Sequence, residues 1–229
     1  GIFVEAFLGG TGCRALFNIF GFRGILLLVL GFLYIHDPKP VEGGMKNGIG
    51  EFFSSVVGSL LEVAKIPHIW IASLLGAALF GVHLALGVVW MPKVLLAHGL
   101  SQTSATLGTS MLWLGLAAGS AVVPWWSDKI GKRKLPMILG SAVQLLCMLP
   151  MIYMEGMGAG LALLLCFIFG FANSSHMLAF STAADVVKPS QIGTSAAIVN
   201  GIMFIAGGIL MNRPGARIGP YRLERPIGE

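Results

Sequence analysis

Long apolar stretches alternate with short polar ones along most of this chain. Six of the apolar stretches contain about 20 residues or more. An α-helix rises about 1.5 Å per residue, so each stretch can cross a hydrocarbon core of roughly 30 Å. The predicted spans are residues 15–34, 69–91, 104–126, 136–154, 159–184 and 193–211. The pattern therefore predicts an all-α transmembrane protein with about six spanning helices.

Turn-forming residues set the expected boundaries of the first two spans. The glycines within residues 9–14 predict a turn, preceded by the end of an earlier helix. Pro38 and Pro40 are expected to end the first span, because proline cannot continue helical hydrogen bonding. Pro92 is expected to end the second span for the same reason, with an outer loop over residues 94–102.

The segment 41–66 shows a different pattern. Apolar side chains recur there at helical spacing, at Phe52, Phe53, Val56, Val57, Leu60, Leu61 and Ala64. Glutamate, serine and lysine fill the other face. This pattern predicts an amphipathic helix that lies in the membrane interface and does not cross the membrane.

Composition excludes several classes of protein. Of the 229 residues, 55% are hydrophobic and 11% are charged, and the mean hydropathy is +0.83. A soluble domain of this size could not cover so much apolar surface. The net charge of +5 does not indicate nucleic acid as a partner, since the cations lie in loops and at helix ends, where membrane lipids account for them.

The cysteines do not indicate a metal or a disulfide. Cys13, Cys147 and Cys166 are odd in number, widely spaced and surrounded by apolar sequence. Small packing residues in helices are the better interpretation. Without a Cys/His or His-Glu-x-x-His cluster, we expect neither a metal site nor a cofactor.

The connection between the third and fourth spans is short and strongly basic, with the sequence Ser127-Asp128-Lys129-Ile130-Gly131-Lys132-Arg133-Lys134. Short loops rich in Lys and Arg are retained on the cytoplasmic side of a membrane. Residues 41–66 and 185–191 carry further lysines. We therefore expect loops 41–66, 127–134 and 185–191 to be cytoplasmic in an integral protein, with the bacterial inner (plasma) membrane as the expected location.

This basic loop resembles the signature loop of the major facilitator superfamily, Gly-x-x-x-Asp-Arg/Lys-x-Gly-Arg/Lys-Arg/Lys. Asp128, Lys129, Gly131, Lys132 and Arg133 match that pattern, whereas its first Gly falls on Pro124. In the family the loop occurs between helices 2 and 3, and a second, often degenerate copy lies between helices 8 and 9. The resemblance implies that this chain corresponds to helices 6–11, most of the second half of a twelve-helix carrier.

The resemblance also implies a division of the chain. Residues 1–40 would hold the end of helix 5 and helix 6 of the first half, and residues 41–66 the cytoplasmic linker. Residues 67–211 would form the second-half bundle, helices 7–11. The tail 212–229, with four arginines and three prolines, departs from the family pattern, and a truncation or a reading-frame change near Asn212 is our hypothesis for it.

Polar side chains inside the predicted spans are candidates for a substrate cavity. Such groups face a bundle interior or a water-filled cavity. The resemblance implies that helices 7, 8, 10 and 11 line the cavity and helix 9 lies outside it. The candidates are therefore His83, Asn173, His176 and Asn200, whereas Gln144 is assigned to interhelical hydrogen bonding. Structural hydrogen bonding remains the alternative for each candidate.

The resemblance gives the basic loop a mechanical role. Asp128 would cap the start of helix 9 or pair with a neighbouring helix end, and Gly131 would permit the tight turn. Lys132, Arg133 and Lys134 would bind lipid phosphate or an acidic group, with Asp185 as the candidate partner. Together with Lys129 these residues form the expected gating loop, and a solvated topology determinant is the alternative.

The expected function is secondary active transport of a small polar solute by alternating access, as a symporter or an antiporter. His83 and His176 would be able to carry protons, and protons or sodium are the expected coupling ions. An enzyme is not expected, because the chain has no phosphate-binding Gly-x-x-x-x-Gly-Lys-Ser/Thr loop, and Gly193-Thr194-Ser195-Ala196 is weak evidence for a hydrolase. The alternative is a membrane-embedded scaffold or subunit without transport activity, and half a carrier alone is not expected to transport.

Overall fold

The computed structural model describes residues 2–35 and 49–212, together with the short segments 217–218 and 221–222. Within these ranges the chain is almost wholly helical. The stretches long and apolar enough to cross a membrane are Phe17–Tyr34, Pro67–Ala97, Gln102–Ile130, Lys134–Tyr153, Ala159–Ala184 and Pro189–Met211. The prediction of an all-α transmembrane fold with about six spans is confirmed.

The elements follow one another in a simple order. The α-helices are α1 (Ile2–Tyr34), α2 (Ile49–Ala64), α3 (Pro67–Ala85), α4 (Met91–Ala97), α5 (Gln102–Ile130), α6 (Lys134–Tyr153), α7 (Ala159–Asn173), α8 (Leu178–Ala184) and α9 (Ile192–Met211). A π-helical turn, Leu86–Trp90, joins α3 to α4. Two 3₁₀ turns, Ser174–Met177 and Pro189–Gln191, precede α8 and α9. In the tail, β1 (Arg217–Ile218) and β2 (Tyr221–Arg222) pair antiparallel.

The chain divides into two compact units, residues 1–55 and 56–229. The first unit contains α1, which is one continuous helix, so the turn predicted at residues 9–14 is wrong. Glycine can adopt helical dihedrals, and no proline interrupts this stretch. Pro38, Pro40 and residues 41–48 of the predicted linker lie outside the described residues.

The helix after residue 48 agrees with the amphipathic pattern. α2 begins at Ile49 and runs to Ala64, across the boundary between the two units. Within the second unit, Glu62 on α2 accepts a hydrogen bond from Gln191 at 2.8 Å and lies 3.6 Å from the ammonium of Lys188. The hydroxyls of Ser59 and Thr194 are 3.0 Å apart. The end of α2 is therefore attached to the segment that leads into α9.

The second span does not end at Pro92, contrary to the prediction. The chain stays helical through the π turn and α4, and the helix ends at Ala97. Pro92 occupies the second position of α4. In the first turn of a helix the missing N–H of proline costs little, and the π turn before it changes the hydrogen-bonding pattern locally.

Close backbone contact organises the helices of the second unit. α5 packs along α7, α3 packs along α9, and α6 packs on α7. The small-residue spacing of Gly115 and Gly119 lies at the α5–α7 contact, where an added Cβ would overlap the carbonyl oxygens of Phe167 and Phe171. Small residues of this kind allow membrane helices to approach closely.

Two apolar clusters fill the interior of the second unit, with a polar layer between them. One cluster includes Leu112 and Phe169, and the other includes Ile69 and Val123. Between the two clusters along the helices lie buried polar side chains, which we call the polar layer: His83, Gln144, Asn173, Ser174, Ser175 and His176. Polar groups at this depth are costly in a membrane protein, so the layer is the natural place to look for function.

Candidate functional site

His83 lies in the polar layer, two residues before the end of α3. Its side chain is fully buried, and neither ring nitrogen has a hydrogen-bond partner among the described residues. Its neighbours are aromatic. The Trp113 ring meets it edge-on at 4.9 Å between centroids, and Phe169 and Phe80 stack beside it at 6.1 Å and 6.3 Å. A buried imidazole without a partner carries a desolvation cost that a purely structural residue would avoid.

Asn173 connects three helices through its side chain. It is the last residue of α7, where the chain tightens into the 3₁₀ turn. Its amide Nδ2 donates to the backbone oxygen of Leu79 at 2.8 Å and to Oε1 of Gln144 at 3.3 Å. α3, α6 and α7 are therefore joined at this one side chain. Gln144, as predicted, forms an interhelical hydrogen bond.

His176 completes the cluster. Nδ1 of His176 is the donor to the carbonyl oxygen of Asn173, at 2.7 Å, because a carbonyl can only accept. Its ring lies 4.6 Å from the ring of Phe80, which also faces His83. The structure therefore brings together three of the four predicted cavity residues: Phe80 lies between the two histidines, and Asn173 is hydrogen-bonded to His176.

Asn200 is not part of this cluster. Its side chain is exposed on α9, whereas Val199 and Met203 of the same helix are buried. Asn200 remains a candidate on the strength of the sequence alone. An exposed Asn on a spanning helix is polar surface that lipid would penalise.

Several residues of the cluster could not be identified from the sequence pattern. Phe80, Trp113 and Phe169 enclose the histidines, but aromatic side chains in an apolar run look the same whether they face lipid or the interior. The hydroxyl of Ser175 is likewise buried, without a hydrogen-bond partner among the described residues. Burial of this kind depends on which helices meet, which no local pattern encodes.

The basic loop forms a second cluster, at one end of the second unit. Gly131 ends α5 in the left-handed conformation, with φ of 63°, as the tight turn requires. Arg133 is paired with Asp128, and its Nε lies 3.6 Å from Asp185. The hydroxyl of Ser127 donates to the carbonyl oxygen of Lys132 at 3.0 Å, which closes the turn. The predicted partnership between the loop and Asp185 is present in this structure.

The electrostatics of this cluster depend on Arg133. The hydrogen bond to Asp128, followed by the charges of Asp128 and Asp185, raises the pKa of Arg133 above its ordinary value. Asp128 does not cap α6, since the N-cap of that helix, Arg133, has no side-chain cap. Lys132 and Lys134 are exposed, and the ammonium of Lys129 lies over the ring of Trp125 at 5.1 Å.

The part of the chain that the structure describes holds no group of three or more His, Cys, Asp or Glu side chains placed to bind a metal. The groups that it does bring together are imidazoles, amides, hydroxyls and aromatic rings. Side chains of these kinds can form hydrogen bonds and stacking contacts with small polar molecules.

Comparisons with known proteins agree with this architecture. The family model of the Major Facilitator Superfamily matches residues 1–211. A stretch of 138 residues is 30% identical to an uncharacterized protein of Archaeoglobus fulgidus, and this stretch covers 59% of the chain and 61% of that protein. No solved structure matches significantly. Since the family model covers most of the sequence, the chain belongs to the major facilitator superfamily, whose members are membrane transporters.

Proposed function

We propose that this protein takes part in secondary active transport of a small polar solute, with the polar layer as the solute-facing site. The observation that carries the proposal is the fully buried imidazole of His83, which has no hydrogen-bond partner among the described residues and lies in the same layer as His176 and Asn173. Most buried polar groups in proteins are hydrogen-bonded, and an exception is explained where a ligand pairs with the group at some stage of a cycle. Aromatic walls and a few convergent polar groups are typical of small-molecule sites.

Alternating access gives this arrangement a physical role. In the state described, the two apolar clusters cover the polar layer from both sides. A carrier must open the layer to one face and then to the other. A hydrogen bond from a bound solute would then compensate for the desolvation of the His83 imidazole. Once the layer is open to water, the histidines are the natural sites for a coupling proton.

We propose that the basic loop stabilises one of the two end conformations of the transport cycle. Arg133 connects the turn between α5 and α6 to Asp185 at the end of α8. An exposed ion pair contributes little to global stability, but it can bias two conformations that differ by a similarly small free energy. We assign this end of the bundle to the cytoplasmic side, in line with the concentration of positive charge there.

Accessibility of the polar layer tests the proposal. In a cysteine-free background, Ser175→Cys, a buried position of the polar layer that leaves both histidines in place, is reconstituted in liposomes. It is treated with a membrane-impermeant thiol reagent from the outside or the inside. A carrier should be labelled from both faces. Ala162→Cys is the matched control, because Ala162 is fully buried in an apolar cluster and should stay unlabelled from either face.

The same assay identifies the solute class. Glucose, malate and glutamine serve as probes of the sugar, organic anion and amino acid classes, and protection of Ser175→Cys by one of them would name the class. Labelling from neither face, under conditions in which a surface cysteine reacts fully, would favour a structural layer in a membrane scaffold and would contradict the proposal.

A further inference from the structure

A groove between α3 and α6 is unused by the proposed transport site. It opens at the end of the bundle that carries the basic loop, which we call the basic face, and has a volume of about 380 Å³. Its lining consists of His68, Ile71, Ala72, Leu75, Leu79, Arg133, Lys134, Met137, Ile138, Ser141 and Thr182. About half of the surface of Ile71, Leu75 and Ile138 is exposed there, so the groove lacks a protein partner among the described residues.

The interior of the groove suits an apolar occupant. Its two hydroxyl groups are already used, because Ser141 donates to the carbonyl oxygen of Met137 at 2.8 Å and Thr182 to that of Leu178 at 2.7 Å. The remaining walls below the mouth are hydrocarbon and thioether. A polar solute would find few groups to bind, whereas a hydrocarbon chain would find a continuous surface.

The mouth of the groove is cationic, unlike its apolar interior. Arg133, Lys134 and His68 surround it. Lys134 is exposed and belongs to none of the ion pairs among the described residues, so its charge is available to a ligand. α3 and α6 also begin here without side-chain caps, which adds to the positive potential. A cationic mouth above an apolar groove complements a molecule with a phosphate head and a hydrocarbon tail.

The length of the groove selects the kind of molecule. From His68 to Leu79 there are eleven helical steps of about 1.5 Å, or about 16 Å. This is half of a hydrocarbon core of roughly 30 Å, the depth of a single leaflet. The groove ends near the polar layer, where Gln144 lies one turn beyond Ser141 and is buried. A partner helix crossing the membrane would need a contact surface of twice this length.

We propose that this groove is a binding site for one anionic phospholipid of the leaflet on the basic face. An acyl chain lies against Ile71, Leu75 and Ile138, and the phosphate binds Lys134 and the mouth. Because Arg133 is shared between this mouth and its ion pair with Asp185, a bound phosphate competes with Asp185 for the same guanidinium.

Native mass spectrometry of the detergent-solubilised full chain tests the proposal with dioleoylphosphatidylglycerol as the probe. We expect one saturable adduct, and we expect Lys134→Gln to weaken its binding about fivefold, the usual effect of one cation at a lipid surface. Lys132→Gln is the matched control, since it removes the same charge from the same loop but does not line the groove. Equal losses in the two variants would mean attraction to the loop as a whole and would overturn the proposal.

A second pair of variants tests the acyl chain. Ile138→Trp fills the groove and should abolish the adduct, whereas Ile205→Trp, on the exposed face of α9, should leave it unchanged. Leu75→Trp replaces Ile138→Trp if that variant does not fold as judged by size exclusion. Equal binding of dioleoylglycerol, which lacks the phosphate, would contradict the site. Disulfide-linked dimers of Leu75→Cys that exclude the lipid would assign the groove to a second copy of the chain.

Discussion

Trp113 of α5 contacts both α3 and the π turn that follows α3. Its ring meets the ring of His83 edge-on, with centroids 4.9 Å apart and planes at 86°. Its indole N–H faces the carbonyl oxygen of Gly87, inside the π turn, at 3.4 Å. π turns within α-helices occur frequently at functional sites. Within the described ranges, His83 is therefore positioned by aromatic contacts next to an irregularity of the helix, and not by hydrogen bonds of its own.

Replacing His83 with leucine should stabilise the protein and remove its function. The substitution removes two ring nitrogens that have no hydrogen-bond partner in the described part of the chain, and it keeps an apolar volume among the aromatic rings. Relieving such a desolvation cost should raise the free energy of unfolding by about 1 kcal/mol or more. Thermal unfolding in detergent, followed by intrinsic fluorescence, measures the change.

Asn173→Leu provides the comparison, because its side chain is paired. Loss of the hydrogen bonds to Leu79 and Gln144 should lower the free energy of unfolding by about 1 kcal/mol. A lower melting temperature for His83→Leu than for Asn173→Leu would show that His83 is a structural residue with a partner, contrary to the proposal.

Gly170→Ala should be among the most damaging small substitutions in the bundle. A Cβ at this position would overlap the backbone carbonyl oxygen of Leu112, and backbone cannot move aside as a side chain can. Overpacking of this kind costs about 1–3 kcal/mol. Equilibrium unfolding in increasing mole fractions of sodium dodecyl sulfate gives the value. Gly201→Ala, which has open space around its Cβ position, should keep or slightly raise the stability.

The sequence predicted the spans well because length and hydropathy decide whether a helix crosses a membrane. It failed at Pro92 and at residues 9–14, where single residues were expected to end helices. Proline breaks a helix only where its missing N–H is needed, and glycine can adopt helical dihedrals where its neighbours favour a helix. The π turn that places Pro92 in a first helical turn is stabilised in part by Trp113, which is 21 positions further along the chain.

The candidate site was predictable in part for a related reason. His83, Asn173 and His176 are polar residues in apolar runs. Because burying a polar side chain in a membrane protein is costly, this position identified them as candidates. Asn200 has the same signal but lies on an exposed face. The sequence cannot separate these cases, because the difference lies in which helix covers which face. The loop partner Asp185 was anticipated because the family resemblance put both charged ends on one side of the membrane.

Asp185→Asn should loosen the basic loop without destabilising the whole bundle. Arg133 is about one-third exposed and Asp185 more than half, so the pair should contribute less than about 1 kcal/mol. Amide hydrogen exchange in residues 127–134 should become a few-fold faster. Glu155→Gln, which removes the same charge in the turn between α6 and α7, should leave this exchange unchanged. Equal protection in both variants would contradict stabilisation of the basic loop by Asp185.

The ion pair of Arg133 and Asp185 also determines how the stability of the basic loop depends on pH. The pKa of Arg133 is raised in the folded state, so its contribution is fully present below the ordinary arginine pKa and is lost only as pH rises through the raised value. Between pH 6 and 9, deprotonation of Arg133 should therefore not release the loop. Exchange rates corrected for the intrinsic effect of pH should stay constant over that range, and an increase towards pH 9 would be inconsistent with this charge state.

Glu62→Ala should release the end of α2 from the segment before α9. Glu62 binds both Lys188 and Gln191, and the contact between Ser59 and Thr194 alone is a single hydrogen bond. Local opening of a helix end exposes the backbone to proteases. Trypsin should therefore cleave after Lys65, at the end of α2, several-fold faster than in the unaltered protein. Glu51→Ala removes a carboxylate from the first turn of the same helix and should leave that rate unchanged, because Glu51 lies in the other unit. Faster cleavage in both variants would mean that loss of negative charge on α2, and not release from Lys188, controls access to Lys65.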